Sequence, residues 1–205
     1  MQSITSYFHD ISDSQFDKLH SLFEIYKEWN SKINLISRKD FDNFYVNHVL
    51  HSLSIMKFFS FAEGTKLLDV GTGGGFPGIP LAICLPHCEF VLSDSIGKKM
   101  KVVKDVADQL ELKNVKCITG RAEQIKGQFD FITGRAVTSL PDFVKLIRNK
   151  ISKKQFNAFP NGILYLKGGD FDDEIRAVNM DYEIFNLNEH FEESFFETKK
   201  LVYLF

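Results

Sequence analysis

The residues from Leu67 to Pro80 read L-L-D-V-G-T-G-G-G-F-P-G-I-P and hold the densest chemical signal in the chain. Asp69, Gly71, Gly73 and Gly75 alternate behind a short apolar run. Alternate glycines remove Cβ atoms, so the backbone can turn tightly and lie directly against a bound molecule. A strand that enters such a turn and leaves it as a helix either lies against a ligand or is a glycine-rich turn with none, and the second reading is the weaker because clustered glycines weaken local structure unless something needs the space. The dinucleotide fingerprint G-x-G-x-x-G requires glycine where Phe76 stands, so that match fails.

Other residues could complete such a site. Asp94 closes an apolar run 19 residues after Gly75, where nucleotide-type folds place the acid that accepts from ribose hydroxyls. The competing roles for Asp94 are a solvated strand end and the cap of the next helix. Asp69 either holds the turn together or attracts a ligand ammonium. Gly120-Arg121-Ala122-Glu123 follows a third apolar run and would reach an adenine edge, although Glu123 alone also reads as a first-turn carboxylate favoured by the helix dipole. Gly134-Arg135-Ala136 follows a fourth run, and Arg135 could bind a carboxylate, a phosphate or Asp69. Two lysine-rich clusters, Lys98-Lys99-Lys101-Lys104 and Lys145-Arg148-Lys150-Lys153-Lys154, read as solvated faces or phosphate contacts. His48 and His51 lie three apart on an expected helix and read as partly buried rather than catalytic. No Ser/His/Asp triad stands out. Cys84, Cys88 and Cys117 form no C-x-x-C pair, so no metal is expected and the thiols read as small buried side chains.

The elements that position these residues follow from periodicity. Residues 1–60 are expected to form a helical segment packed on the core, with Ser12 or Ser14 capping a helix through Phe16, Leu19, Leu22, Phe23, Tyr26 and Trp29. A second apolar series from Phe41 to Phe59 predicts another helix or a broken pair. Residues 61–205 alternate strands with helices. Strands are expected at Lys66–Gly71, Glu89–Asp94, Val115–Thr119, Phe129–Thr133, Gly162–Lys167, Tyr182–Asn186 and Leu201–Phe205. Helices are expected after the glycine turn, over Gly97–Leu110, over Leu140–Asn149 and over Asp170–Val178. Lys150–Asn161 reads as an exposed loop. This is an α/β pattern with a mostly parallel, seven-stranded, Rossmann-like sheet, whose ligands bind at the carboxyl ends of the strands.

The net charge of −2 and pI near 6.3 argue against capture of nucleic acid by bulk charge, so any RNA contact must use a local patch. No stretch is long and apolar enough to suggest a membrane span, and Met1 to Ile11 shows no secretory signal. A cytoplasmic setting and a monomer are the expectations.

The acid two residues before the first glycine, followed by G-x-G-x-G, resembles the first motif of S-adenosylmethionine (SAM) methyltransferases of class I. More of the chain is similar to the GidB/RsmG family, bacterial methyltransferases of small-subunit ribosomal RNA. The matching residues include Trp29-Asn30, Asn34-Leu35, Asn47-His48, Ser52, the run from Asp69 to Leu81 with its G-I-P ending, and Asp94-Ser95. They continue through Gly97-Lys98-Lys99, Arg121-Ala122-Glu123, Arg135-Ala136, Ser139-Leu140 and Leu166-Lys167-Gly168. The chain departs from the family pattern at His51, where aspartate is frequent, and at Gly74, where proline is. The resemblance implies that SAM is the cofactor and that Gly71, Phe76, Ala122, Glu123 and Arg135 contact it, beside the Gly73, Gly75 and Asp94 read from the turn itself. It also implies methylation of N7 of one guanine in 16S rRNA, presented as RNA or as the small ribosomal subunit. That nitrogen has a free lone pair, so positioning would suffice, with Arg135 the candidate for a direct role and Phe76 or another aromatic a candidate to cover a base or the adenine. The near-neutral charge equally suits transfer to a small molecule or protein, and a non-catalytic SAM-binding assembly factor is the third reading.

Overall fold

A computed structural model describes residues 2–205. Behind the short helix α1 (Gln2–Tyr7), helix α2 runs over Asp13–Lys32. Ser12, not Ser14, caps it: Ser12 Oγ accepts from the Gln15 amide, and the Gln15 side chain accepts from the Ser12 amide. The apolar face then buries Leu19, Leu22 and Tyr26.

The second apolar series forms a broken helix. It comprises α3 (Arg38–Asp42), a wide π-helical turn (Tyr45–Leu50), a single turn α4 (His51–Leu53) and a tight 3₁₀ turn (Ser54–Lys57). Two hydroxyls contribute to the irregularity. Ser52 Oγ donates to the His48 carbonyl at 2.6 Å and Ser54 Oγ to the His51 carbonyl at 2.7 Å, and such back-bonding bends helices.

The seven strands are β1 (Lys66–Val70), β2 (Glu89–Asp94), β3 (Val115–Thr119), β4 (Phe131–Arg135), β5 (Gly162–Gly168), β6 (Tyr182–Asn186) and β7 (Lys199–Leu204). Their order is β3-β2-β1-β4-β5-β7-β6, parallel except for the antiparallel β7 pairings. Between them lie α5 (Gly78–Cys84), α6 (Gly97–Gln109), α7 (Leu140–Ile147) and α8 (Asp172–Arg176). The order reverses between β1 and β4, so the edge beyond their carboxyl ends is the topological switch point.

Several expectations need correction: β7 starts at Lys199, two residues before its expected start at Leu201, and α8 covers only Asp172–Arg176 of the expected Asp170–Val178. Strand β4 starts two residues later than its composition suggests, because Phe129 makes only a lone bridge to Ile151. Arg135 therefore ends the strand itself. The Lys150–Asn161 stretch is not a wholly solvated loop. Lys150 is buried, its Nζ donating to the Glu123 and Ile125 carbonyls, and the buried Asn161 amide donates to Ser152 and Lys154 carbonyls. Lys150 thus leaves the second basic cluster, while Lys145, Arg148, Lys153 and Lys154 stay exposed. Among the described residues no helix is long and apolar enough to cross a membrane.

Candidate functional site: two cavities at the switch point

The glycine turn is organised from beneath by Asp69, which has no exposed surface. Its Oδ2 accepts from Thr72 Oγ1 at 2.5 Å and from the Gly78 amide at 3.0 Å, and its Oδ1 accepts from Thr133 Oγ1 at 3.0 Å. Burial pushes this carboxyl up to about 6, partly offset by those three donors. Of its two proposed roles, holding the turn is the one these contacts support.

Gly71, Gly73 and Gly75 all adopt the left-handed backbone that glycine alone enters freely, with φ of +63°, +58° and +99°. Their surroundings differ. A Cβ on Gly71 would meet Val137 at 2.9 Å, in the wall of a cavity. A Cβ on Gly75 would meet Ile79 at 2.7 Å, so Gly75 serves the packing of α5. The Gly73 amide donates to Asp94 Oδ2 at 3.0 Å, and the Ile96 amide donates to Asp94 Oδ1 at 2.8 Å. Asp94 thus ties the turn to β2, while each oxygen keeps lone-pair capacity for another donor.

A cavity of about 400 Å³ opens at the carboxyl ends of β1, β2 and β3. Gly71, Asp94, Lys99, Ala122, Glu123 and Ala136 are in its wall. The lining suits an adenosyl group: an accepting carboxylate at a strand end, small residues at Gly120 and Ala122 where a flat ring needs room, and exposed polar groups at Arg121 and Glu123.

A second cavity of about 460 Å³ lies beside it, between the π-helical turn and the ends of β4 and β5. Asp40, His48, His51, Arg135, Tyr165 and Lys199 are in its wall, and Ala136 borders both cavities. Ala136 has a φ of +53°, a left-handed conformation rare for a residue with a Cβ. Such outliers concentrate where function fixes the backbone.

Arg135 is placed in this second cavity, without a side-chain contact to Asp69. Its Nη1 donates to the Asn47 carbonyl at 3.1 Å, its Nη2 faces His48 Nδ1 at 3.0 Å, and its guanidinium stacks over the Phe76 ring at 5.3 Å. Burial lowers its pKa to about 10, with Asp69 acting in the opposite direction. The Phe76 ring is itself buried among Tyr26, Phe44 and His48. It is therefore not free to cover a base, and the expectation of a stacking role is corrected.

Sequence reasoning singled out Gly71, Asp94, Ala122 and Glu123, and the fold brings these four to one cavity. Ala136 is named there only as part of the Gly134-Arg135-Ala136 run, with nothing to signal its left-handed backbone, and the Asp40, Phe195 and Lys199 contributions to the second cavity come from distant segments with no local signature. Periodicity marks Tyr26 only as an apolar position of α2. Its hydroxyl donates to the Gly74 carbonyl, so α2 grips the glycine turn directly.

The family model described as rRNA small subunit methyltransferase G matches residues 15–202. A protein of Flavobacterium johnsoniae named ribosomal RNA small subunit methyltransferase G is 53% identical over 100% of this chain and 97% of its own length. A Bacteroides thetaiotaomicron protein of the same name is 51% identical over 99% of this chain and 98% of its own. Among solved structures, a SAM-dependent methyltransferase from Aquifex aeolicus superposes with a TM-score of 0.55 at 17% identity, covering 75% of this chain and 88% of that one. A precorrin-6y C5,15-methyltransferase from Geobacter metallireducens gives 0.55 at 10% identity, over 84% and 91%. These two support the class I methyltransferase fold.

Proposed function

The chain belongs to the rRNA small subunit methyltransferase G family, and from that premise we propose how its two cavities divide the work. It is a SAM-dependent methyltransferase of small-subunit ribosomal RNA. The first cavity would hold the cofactor through Asp94, Ala122, Glu123 and the Gly71 backbone, with Gly73 and Gly75 shaping the turn. Bound there, SAM supplies an electrophilic methyl group on a sulfonium. The second cavity would receive a guanine extruded from its stack, with N7 aimed toward the shared border at Ala136. The observation that carries this reading is that border: one strained residue separates the two spaces.

The groups around the second cavity suit a nucleophile that needs no deprotonation. His48 is held neutral, its pKa pushed down to about 3 by burial and then by Arg135. Lys167 is paired with Glu174 at 2.8 Å, so its charge does not oppose a cationic product. Asp40, whose pKa is lowered chiefly by its bond from Ser37, supplies a carboxylate to stabilise that cation. Catalysis is then positioning plus exclusion of water.

The test is transfer of a labelled methyl group to 16S rRNA taken from cells that lack the protein, offered as extracted RNA and as small subunits. Digestion should yield 7-methylguanosine at one site. Label on another nucleoside, or on protein alone, would overturn the reading.

A further inference from the structure

The loop that leaves β4 separates the two cavities. Ala136 borders both, Val137 lies in the wall of the first and Thr138 in the wall of the second. Such loops are ordinarily mobile, and a left-handed alanine persists only where its surroundings fix it. Here one atom does most of the fixing. The Tyr165 hydroxyl accepts from the Val137 amide at 2.9 Å and from the Thr138 amide at 3.2 Å, and it donates to the Thr138 carbonyl at 2.9 Å. A phenol has one proton to give and two lone pairs, so backbone groups alone saturate this hydroxyl. It has nothing left to offer a substrate, and the side chain is only 1% exposed. The neighbouring residues make room for the ring. Gly134 pairs with Tyr165 across β4 and β5, and a Cβ there would come within 2.6 Å of the Phe143 ring and 3.0 Å of the Tyr165 ring. In the space this leaves, the two rings meet edge to face with centroids 4.7 Å apart. On the cofactor side Val137 packs over Gly71, 2.9 Å from where a Cβ would stand. One buried hydroxyl thus holds a loop that touches the glycine turn on one side and the base cavity on the other.

We propose that Tyr165 is a positioning residue for methyl transfer: by clamping Val137 and Thr138 it fixes Ala136, and with it the alignment of the methyl donor in one cavity with the base in the other. The inference rests on the division of the cavities given above. The cofactor is held by Asp94, Ala122 and Glu123, which stand on other elements, so a loosened partition should spare its binding. The loss belongs to the transfer step, where a displacement of about 1 Å can cost about a hundredfold.

Tyr165→Phe keeps the ring beside Phe143 and removes only the oxygen. Single-turnover methyl transfer to 16S rRNA from cells lacking the protein is measured for both proteins, below the temperature at which circular dichroism shows the variant unfolding. The transfer rate should fall roughly tenfold to a hundredfold, while KM for the RNA and SAM affinity by calorimetry stay within about threefold. A hydroxyl that served stability alone would lower the unfolding temperature and leave the rate of the folded variant unchanged. A second arm needs no variant. In the wild-type protein, amide exchange followed by NMR should be at least about a hundredfold slower at Val137 and Thr138 than in an unstructured peptide. Exchange at the unstructured rate would show that the hydroxyl does not hold the loop and would overturn the proposal. So would a wild-type transfer rate in folded Tyr165→Phe, or a loss confined to SAM affinity or KM. Each of these results leaves the methyltransferase intact. No transfer by the wild-type protein to any guanine would remove the proposed function and the role of Tyr165 with it.

Discussion

Asp69 holds the glycine turn with a carboxylate buried away from water, and this sets a pH dependence of definite sign. Its folded pKa, about 6, lies above the ordinary 3.8, so the folded state favours the protonated form. The contribution to stability is full below about 3.8 and is lost as pH rises through about 6, with an upper bound of about 3 kcal/mol. Asp69→Asn keeps an oxygen for Gly78 and Thr72 and offers its amide to Thr133. Relative to wild type it should gain stability between about pH 4 and 7, and urea titrations across that range check this. A flat difference would contradict the buried-charge account. Gly73 gives a second prediction. Its Cβ direction is open, with only the Gly71 carbonyl at 3.9 Å, but a φ of +58° is hostile to a β-branched residue. Gly73→Val should cost at least about tenfold in SAM affinity by moving the turn away from Asp94, with the fold retained; wild-type affinity by calorimetry would count against the turn assignment.

At the scale of elements, the first 60 residues are less an appendage than a brace. Tyr26 on α2 bonds the Gly74 carbonyl, Gln15 bonds the Cys84 carbonyl at the end of α5 at 3.0 Å, and Trp29 Nε1 donates to Asp105 on α6 at 2.7 Å. Tyr26→Phe leaves the Gly74 carbonyl without that donor. It should destabilise the protein by about 1–2 kcal/mol and weaken SAM binding, read by thermal unfolding and calorimetry. Loss of stability with unchanged affinity would show that the brace does not reach the site. The parallel strands were legible because apolar runs broken by turn residues report local structure, and β2 and β3 lie where that pattern puts them. The glycine turn was legible for the same reason. The second cavity was not, because its contacts join distant segments. Arg135 meets His48 across 87 positions, and periodicity carries no information about such pairs. The Phe76 ring misled for a related reason: an aromatic beside a glycine turn looks available until α2 and the π-helical turn close over it.

For the whole molecule, a net charge of −2 leaves RNA capture to local patches. Lys98, Lys101 and Lys104 are exposed on α6, whereas Lys99 turns into the first cavity. Changing the exposed three to alanine together should lower the slope of log affinity against log salt by roughly 2 for single-stranded contacts, with SAM affinity unchanged. An unchanged slope in filter binding would remove this face from the RNA path. Sedimentation in the presence of RNA would test the proposal that the chain acts as a monomer.

A crystal grown with S-adenosylhomocysteine tests most directly the division into a cofactor cavity and a base cavity meeting at Ala136. Ribose hydroxyls are expected on Asp94, adenine beside Ala122, and the sulfur directed past Ala136 toward the space walled by His48 and Arg135. Density for the ligand in the His48–Arg135 cavity, or a sulfur pointing away from Ala136, would contradict it.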